Sequence, residues 1–81
     1  MSESSNKIRK IIIKITGIID ITEYDLLKDK GVSSLNLLSV LAALENTFGI
    51  DIPGDELKMS NFESIVKLNE LVTRLIEKNK I

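Results

Sequence analysis

Apolar residues recur at three- and four-residue intervals through Ile8, Ile11, Ile12, Ile15, Ile18 and Ile19, while Lys7, Lys10 and Lys14 line another side. A helix needs an apolar group on its buried face every turn, so this spacing predicts an amphipathic helix over residues 6–18. The β-branched content would suit a strand, but the spacing and length favour helix, and Gly17 supplies a stop. Residues 20–33 mix charged and apolar groups without a clean period and predict a long connecting loop, with Ile21, Tyr24, Leu26 and Leu27 packed inward.

A second helix is predicted from Ser34 to Phe48, closed by Gly49. Placing successive residues about 100° apart puts Leu37, Val40, Leu41, Leu44 and Phe48 on one side and Asn36, Ser39, Ala43 and Asn46 opposite. Leu35 and Ala42 fall with the polar side. Pro53-Gly54 marks a turn, and residues 55–59 could form one short helical turn. Ser60-Asn61-Phe62-Glu63 reads as a capping box opening a last amphipathic helix through Ile65, Val66, Leu68, Leu71, Val72, Leu75 and Ile76. No strand candidate emerges. The pattern predicts an all-α fold, a small four-helix bundle of three main helices and one short one, as a single domain over 1–81 with residues 1–5 and 78–81 frayed.

A chain of 81 residues buries a limited core, which sets a stability of about 4 to 12 kcal/mol. It contains neither Cys nor His. That removes the thiolate nucleophile, the commonest general base and the commonest metal ligand, so no metal site and no enzymatic activity are expected. The longest uncharged stretch, Gly31 to Leu44, is too short for a membrane span of about twenty residues. The polar, acid-bearing start lacks the pattern of a secretory signal, so a cytoplasmic protein without membrane association is expected.

A net charge of −1, with only Arg9 and Arg74 as arginines, gives no basic stripe for nucleic acid, and Lys7, Arg9, Lys10 and Lys14 read as a solvated helix face.

Candidate chemistry concentrates where the second helix begins. Gly31-Val32-Ser33-Ser34-Leu35 places hydroxyls at a helix start, and either serine could be the N-cap. Alone this string is weak. It is followed at fixed spacing by Leu44, Glu45, Phe48, Ile50, Ile52, Pro53 and Glu56. Taken together, the region from Leu26 to Glu56 resembles the acyl carrier protein family, with its G-x-D-S-L motif, its Leu/Val-rich helix ending in L-E-x-x-F, and an I-x-I-P turn followed by acids.

The resemblance implies a bundle of acyl carrier type in which Ser34 bears 4′-phosphopantetheine, installed from coenzyme A by a phosphopantetheinyl transferase. It further implies an acyl group carried as a thioester on that arm and presented to acyl-loading and acyl-processing enzymes by a monomeric carrier. Val32, Ser33, Leu35, Asn36, Ser39 and Ala42 are the expected partner-recognition residues. Leu37, Val40, Leu41, Leu44, Phe48, Ile52, Ile65 and Leu68 are expected to be core first, and in the family such an interior opens to sheltered cargo.

Three departures from the family pattern matter. Ser33 stands where an Asp is usual, an acid that in the family helps engage the transferase and its metal. Lys30 precedes the motif glycine in place of Leu. The second helix, acidic in carriers of bulk fatty acid synthesis, has Glu45 as its single charge. Since charge steers encounter and selects partners, its loss favours a specialised pathway with partners read through apolar contact. An aminoacyl or peptidyl carrier is the alternative, disfavoured by the absence of a second glycine near the serine; an unmodified interaction module of the same fold is another.

Overall fold

The structure, a computed structural model, describes residues 2–78. It comprises three α-helices, α1 (Glu3–Thr16), α2 (Ser34–Phe48) and α3 (Ile65–Lys78), with short 3₁₀ turns at Leu27–Lys30, Gly54–Glu56 and Met59–Asn61. Among the described residues there is no strand. Helix α1 packs against both α2 and α3, and the fully buried side chains of Ile8, Ile12, Val40, Leu44, Ile65, Leu68, Leu71 and Val72 fill the space between the three. The fourth, short helix expected over residues 55–59 is replaced by the two 3₁₀ turns at Gly54–Glu56 and Met59–Asn61.

Helix α1 begins three residues before the periodicity indicates. Ser2 Oγ accepts the Ser5 N–H at 3.1 Å, capping a first turn that includes residues expected to fray. Ser5 is buried, and the Ser4 hydroxyl donates to Asn69 Oδ1 on α3. Gly17, at φ +76°, closes the helix in the left-handed conformation and donates its N–H to Ile13 O at 2.7 Å. The other segment expected to fray contains Lys78, the last residue of α3; residues 79–81 lie outside the described residues.

Residues 17–33 are a connection with its own anchors. Arg9 donates from Nε to Ile21 O at 3.0 Å and from Nη2 to Ile19 O at 3.1 Å. Leu27 N–H donates to Glu63 O at 2.9 Å, and Val66 N–H donates to Glu23 O at 3.0 Å, which ties this connection to the start of α3. Ile21 and Leu27 are buried as expected, but Tyr24 is 77 % exposed and Leu26 is 40 % exposed. Their neighbours Ile21 and Leu27 take the inward positions of this irregular segment, leaving Tyr24 and Leu26 outside.

The start of α3 is also corrected. Ser60 lies in the Met59–Asn61 turn, and the helix begins at Ile65 with Ser64 as its cap, whose Oγ accepts the Lys67 N–H at 3.2 Å. The capping box fails because the Glu63 carbonyl is taken by Leu27 and Phe62 is held in the core at φ −119°, ψ 2°, outside helical geometry. Glu56 secures the same region to α3. Arg74 donates to both of its carboxylate oxygens, at 3.0 and 3.3 Å, and Asn61 Nδ2 donates to the Glu56 carbonyl at 2.8 Å.

Candidate functional site

Helix α2 starts where two serines divide the work of a helix N-terminus. Ser33 is the N-cap: its Oγ accepts the Asn36 N–H at 3.1 Å and lies 3.0 Å from Asn36 Oδ1, to which it donates. Ser34 is therefore the first residue of the helix, exposed, and its hydroxyl has no hydrogen-bond partner among the described residues. Gly31, at φ +93°, turns the chain into this start; its N–H donates to Lys28 O, and Val32 N–H donates to Leu27 O.

A helix start leaves its first N–H groups without helical acceptors. Here Asn36 N–H is satisfied by Ser33, while the N–H groups of Ser34 and Leu35 have no acceptor within the described residues. The first turn contains no acid. Open N–H groups at the positive end of the helix dipole stabilise an anion by about 0.3 to 1 kcal/mol at an exposed site, so these residues fit a phosphodiester on the Ser34 hydroxyl.

Beside Ser34 lies a cleft of about 290 Å³. Its apolar walls come from Leu26, Leu27, Val32, Leu37, Met59 and Phe62, and its polar rim from Lys28, Ser33, Ser34 and Glu63. Of the residues expected to line a cargo cavity, only Leu37 faces this cleft. Val40, Leu41, Leu44, Ile65 and Leu68 are buried in the core, and Phe48 and Ile52 pack against it half-buried. Leu26, Met59 and Phe62 are not among the expected walls; Leu26 precedes the Leu27–Lys30 turn while Met59 and Phe62 belong to the Met59–Asn61 turn and its cap, two segments joined only by the fold.

Among the expected recognition residues, Leu35 is 77 % exposed, Ser33, Ser39 and Ala42 are exposed, and Asn36 is half-buried. Val32 is corrected: it is only 8 % exposed and packs into the core next to the glycine turn. Leu38, absent from the sequence prediction, is 64 % exposed and completes an apolar stripe with Leu35 and Ala42. Its position about 60° from Leu35 on the helical wheel was the available signal. The single charge of α2 does not join this face, because Glu45 Oε2 accepts the Ile52 N–H at 2.8 Å. Lys30, next to the motif glycine, is held by Asp20 at 3.5 Å and Asp25 at 3.7 Å.

Among the described residues, no cluster of three acidic, His or Cys side chains is placed to hold a metal ion, and no helix is long and apolar enough to cross a membrane. An exposed, unengaged hydroxyl at an anion-favouring helix start, set at the mouth of an apolar cleft, is the arrangement of a carrier domain. Residues 6–75 match the family described as the phosphopantetheine attachment site. The acyl carrier protein of Zymomonas mobilis subsp. mobilis is 30 % identical over 61 residues, covering 72 % of this chain and 78 % of that protein. That of Helicobacter acinonychis is 37 % identical over 59 residues, covering 73 % and 68 %, and that of Helicobacter pylori strain G27 is 36 % identical over 59 residues with the same coverage.

The chain belongs to the acyl carrier protein family, whose prosthetic group is covalently attached 4′-phosphopantetheine.

Proposed function

We propose that Ser34 is the attachment residue and that the protein is a non-catalytic, monomeric, cytoplasmic carrier serving a specialised pathway rather than bulk fatty acid synthesis. The observation that carries the assignment of Ser34 is the division of roles at the start of α2: Ser33 Oγ is engaged with Asn36, whereas Ser34 Oγ is exposed and unengaged. When bound, the group supplies a terminal thiol that holds an acyl cargo as a thioester. The chain itself has no sulfur nucleophile to offer in its place.

The chain's own residues present and select. The open N–H groups of Ser34 and Leu35 face the negative charge at the attachment point. Leu35, Leu38, Ser39 and Ala42, with Ser33 and Asn36 at the helix start, form the recognition surface for the phosphopantetheinyl transferase and for acyl-loading and acyl-processing enzymes. The specialised role is supported by the charge-free exposed face of α2. Partners of such a face gain affinity from apolar burial, and little from steering by charge. The cleft beside Ser34 receives the root of the arm, and Leu37, with Val40, Leu41, Leu44, Phe48, Ile52, Ile65 and Leu68 behind it, lines the interior that shelters the cargo at the far end of the arm.

Incubation of the apo-protein with coenzyme A and a broad-specificity phosphopantetheinyl transferase tests the proposal by intact mass. One adduct is expected; an unmodified chain would favour an interaction module that keeps the fold without the group. Loading with amino acids rather than acyl groups by the native partner would favour the aminoacyl or peptidyl reading.

A further inference from the structure

Two lysines lie in the 3₁₀ turn that leads into Gly31 and delivers Ser34, and they are in different states. Lys30 is held between Asp20 and Asp25. The Lys28 ammonium has neither ion pair nor hydrogen bond among the described residues, and Lys28 lines the same cleft as Ser33 and Ser34. The 3₁₀ turn Leu27–Lys30 holds this geometry: Leu27 is buried with its N–H on Glu63 O, and Gly31 N–H returns to Lys28 O at 3.2 Å. The backbone of Lys28 is thus fixed while its side chain is unengaged.

The electrostatic surroundings point the same way. No acid occupies the first turn of α2, and its cap is the neutral Ser33. Glu63 is the one carboxylate on the cleft, and no ion pair joins it to Lys28.

We propose that Lys28 is a positioning residue for the prosthetic group: its ammonium pairs with the phosphodiester on Ser34 and draws the root of the arm into the cleft walled by Leu26, Val32, Leu37, Met59 and Phe62. This rests on Ser34 being the attachment residue. The pair is exposed, so it is modest, and it biases the arm between a docked and a free state. An exposed pair of this kind changes that ratio by about two- to fivefold.

The holo-protein tests this directly. The ³¹P resonance of the phosphodiester is compared in the wild type, Lys28→Ala, Lys28→Arg and Lys30→Ala, each confirmed by intact mass to bear one group. The expected result is a wild-type resonance displaced from that of the same phosphodiester in a short peptide bearing phosphopantetheinyl-serine, and moving toward it as salt rises. In Lys28→Ala the docked-to-free ratio falls about two- to fivefold, whereas Lys28→Arg and the equal-charge control Lys30→Ala retain the wild-type position. Identical ³¹P spectra for wild type and Lys28→Ala overturn the proposal while leaving attachment at Ser34 intact. Failure of the wild type to accept the group overturns both.

Discussion

The carboxylate of Glu45 is turned away from solvent-facing α2 and onto the backbone of Ile52, accepting its N–H at 2.8 Å. Gly49 N–H and Ile50 N–H both donate to the Glu45 carbonyl, so one residue terminates the helix with its main chain and folds the following turn with its side chain. The sole charge of the helix is therefore structural, and the exposed face that remains is apolar and hydroxyl-bearing.

Glu45→Ala removes that acceptor and leaves the half-buried Ile52 N–H without one. A hydrogen bond to a charged group is worth more than a neutral one, so a loss of about 1 to 2 kcal/mol is expected in urea unfolding. Glu45→Gln keeps an oxygen in place and recovers most of it. If the carboxylate served docking instead, both variants would keep the wild-type unfolding midpoint and lose partner turnover.

The two adjacent serines separate by readout. Ser33→Ala removes the N-cap and is expected to cost about 1 kcal/mol of stability. It still accepts the prosthetic group. Ser34→Ala, at an exposed first-turn position, is expected to change stability by less than about 0.5 kcal/mol. Ser33→Asp restores the acid found in the family motif and remains a competent cap, so modification by a broad-specificity transferase is expected to be faster at unchanged stability.

Leu35→Glu and Leu38→Glu place charge on the stripe without touching the core. Each is expected to alter stability by less than about 0.5 kcal/mol. Turnover of the loaded carrier by its cognate acyl-processing enzyme is expected to fall by about fivefold or more, the effect of losing one interface residue worth at least about 1 kcal/mol. Turnover of the wild type should be nearly independent of salt, in contrast with a carrier steered by an acidic helix.

Acid should loosen the connections rather than the helices. The Arg74 hydrogen bonds hold the Glu56 carboxyl below its ordinary range, against an opposing desolvation effect. The Thr22 backbone N–H, at 2.8 Å, does the same for Asp25, with smaller help from Lys30. A carboxyl pKa lowered in the folded chain stabilises the fold above the unfolded value of about 4 and loses that effect as pH falls through the lower folded value. The unfolding midpoint is expected to be flat down to about pH 5 and to drop below it, less steeply in Glu56→Gln and Asp25→Asn.

The legible parts of this fold are those set by local rules. Helix α2 runs over Ser34–Phe48 as its period and Gly49 indicate, and its apolar side becomes core. The boundaries that moved are set by distant partners. The start of α3 shifts to Ile65 because Leu27, far away in sequence, takes the Glu63 carbonyl, and α1 gains a turn because Ser2, in a stretch without apolar period, supplies a cap. Val32 is drawn inward by the glycine turn beside it, which a helical wheel does not cover. At the site, the serine pair was legible but the cap was not, since choosing between neighbouring hydroxyls requires the backbone angles. Ser33, at φ −80°, ψ 166°, lies outside the helix, which leaves Ser34 as its first residue.

The central claim is that the Ser34 hydroxyl, and not that of Ser33, holds the prosthetic group. Its most direct measurement is modification of the wild type, Ser33→Ala and Ser34→Ala with coenzyme A and a transferase, followed by fragmentation of the peptide containing both positions. A single phosphopantetheine on Ser34 in the first two proteins, and none on the third, is the expected result. An adduct on Ser33, or one retained by Ser34→Ala, would contradict it.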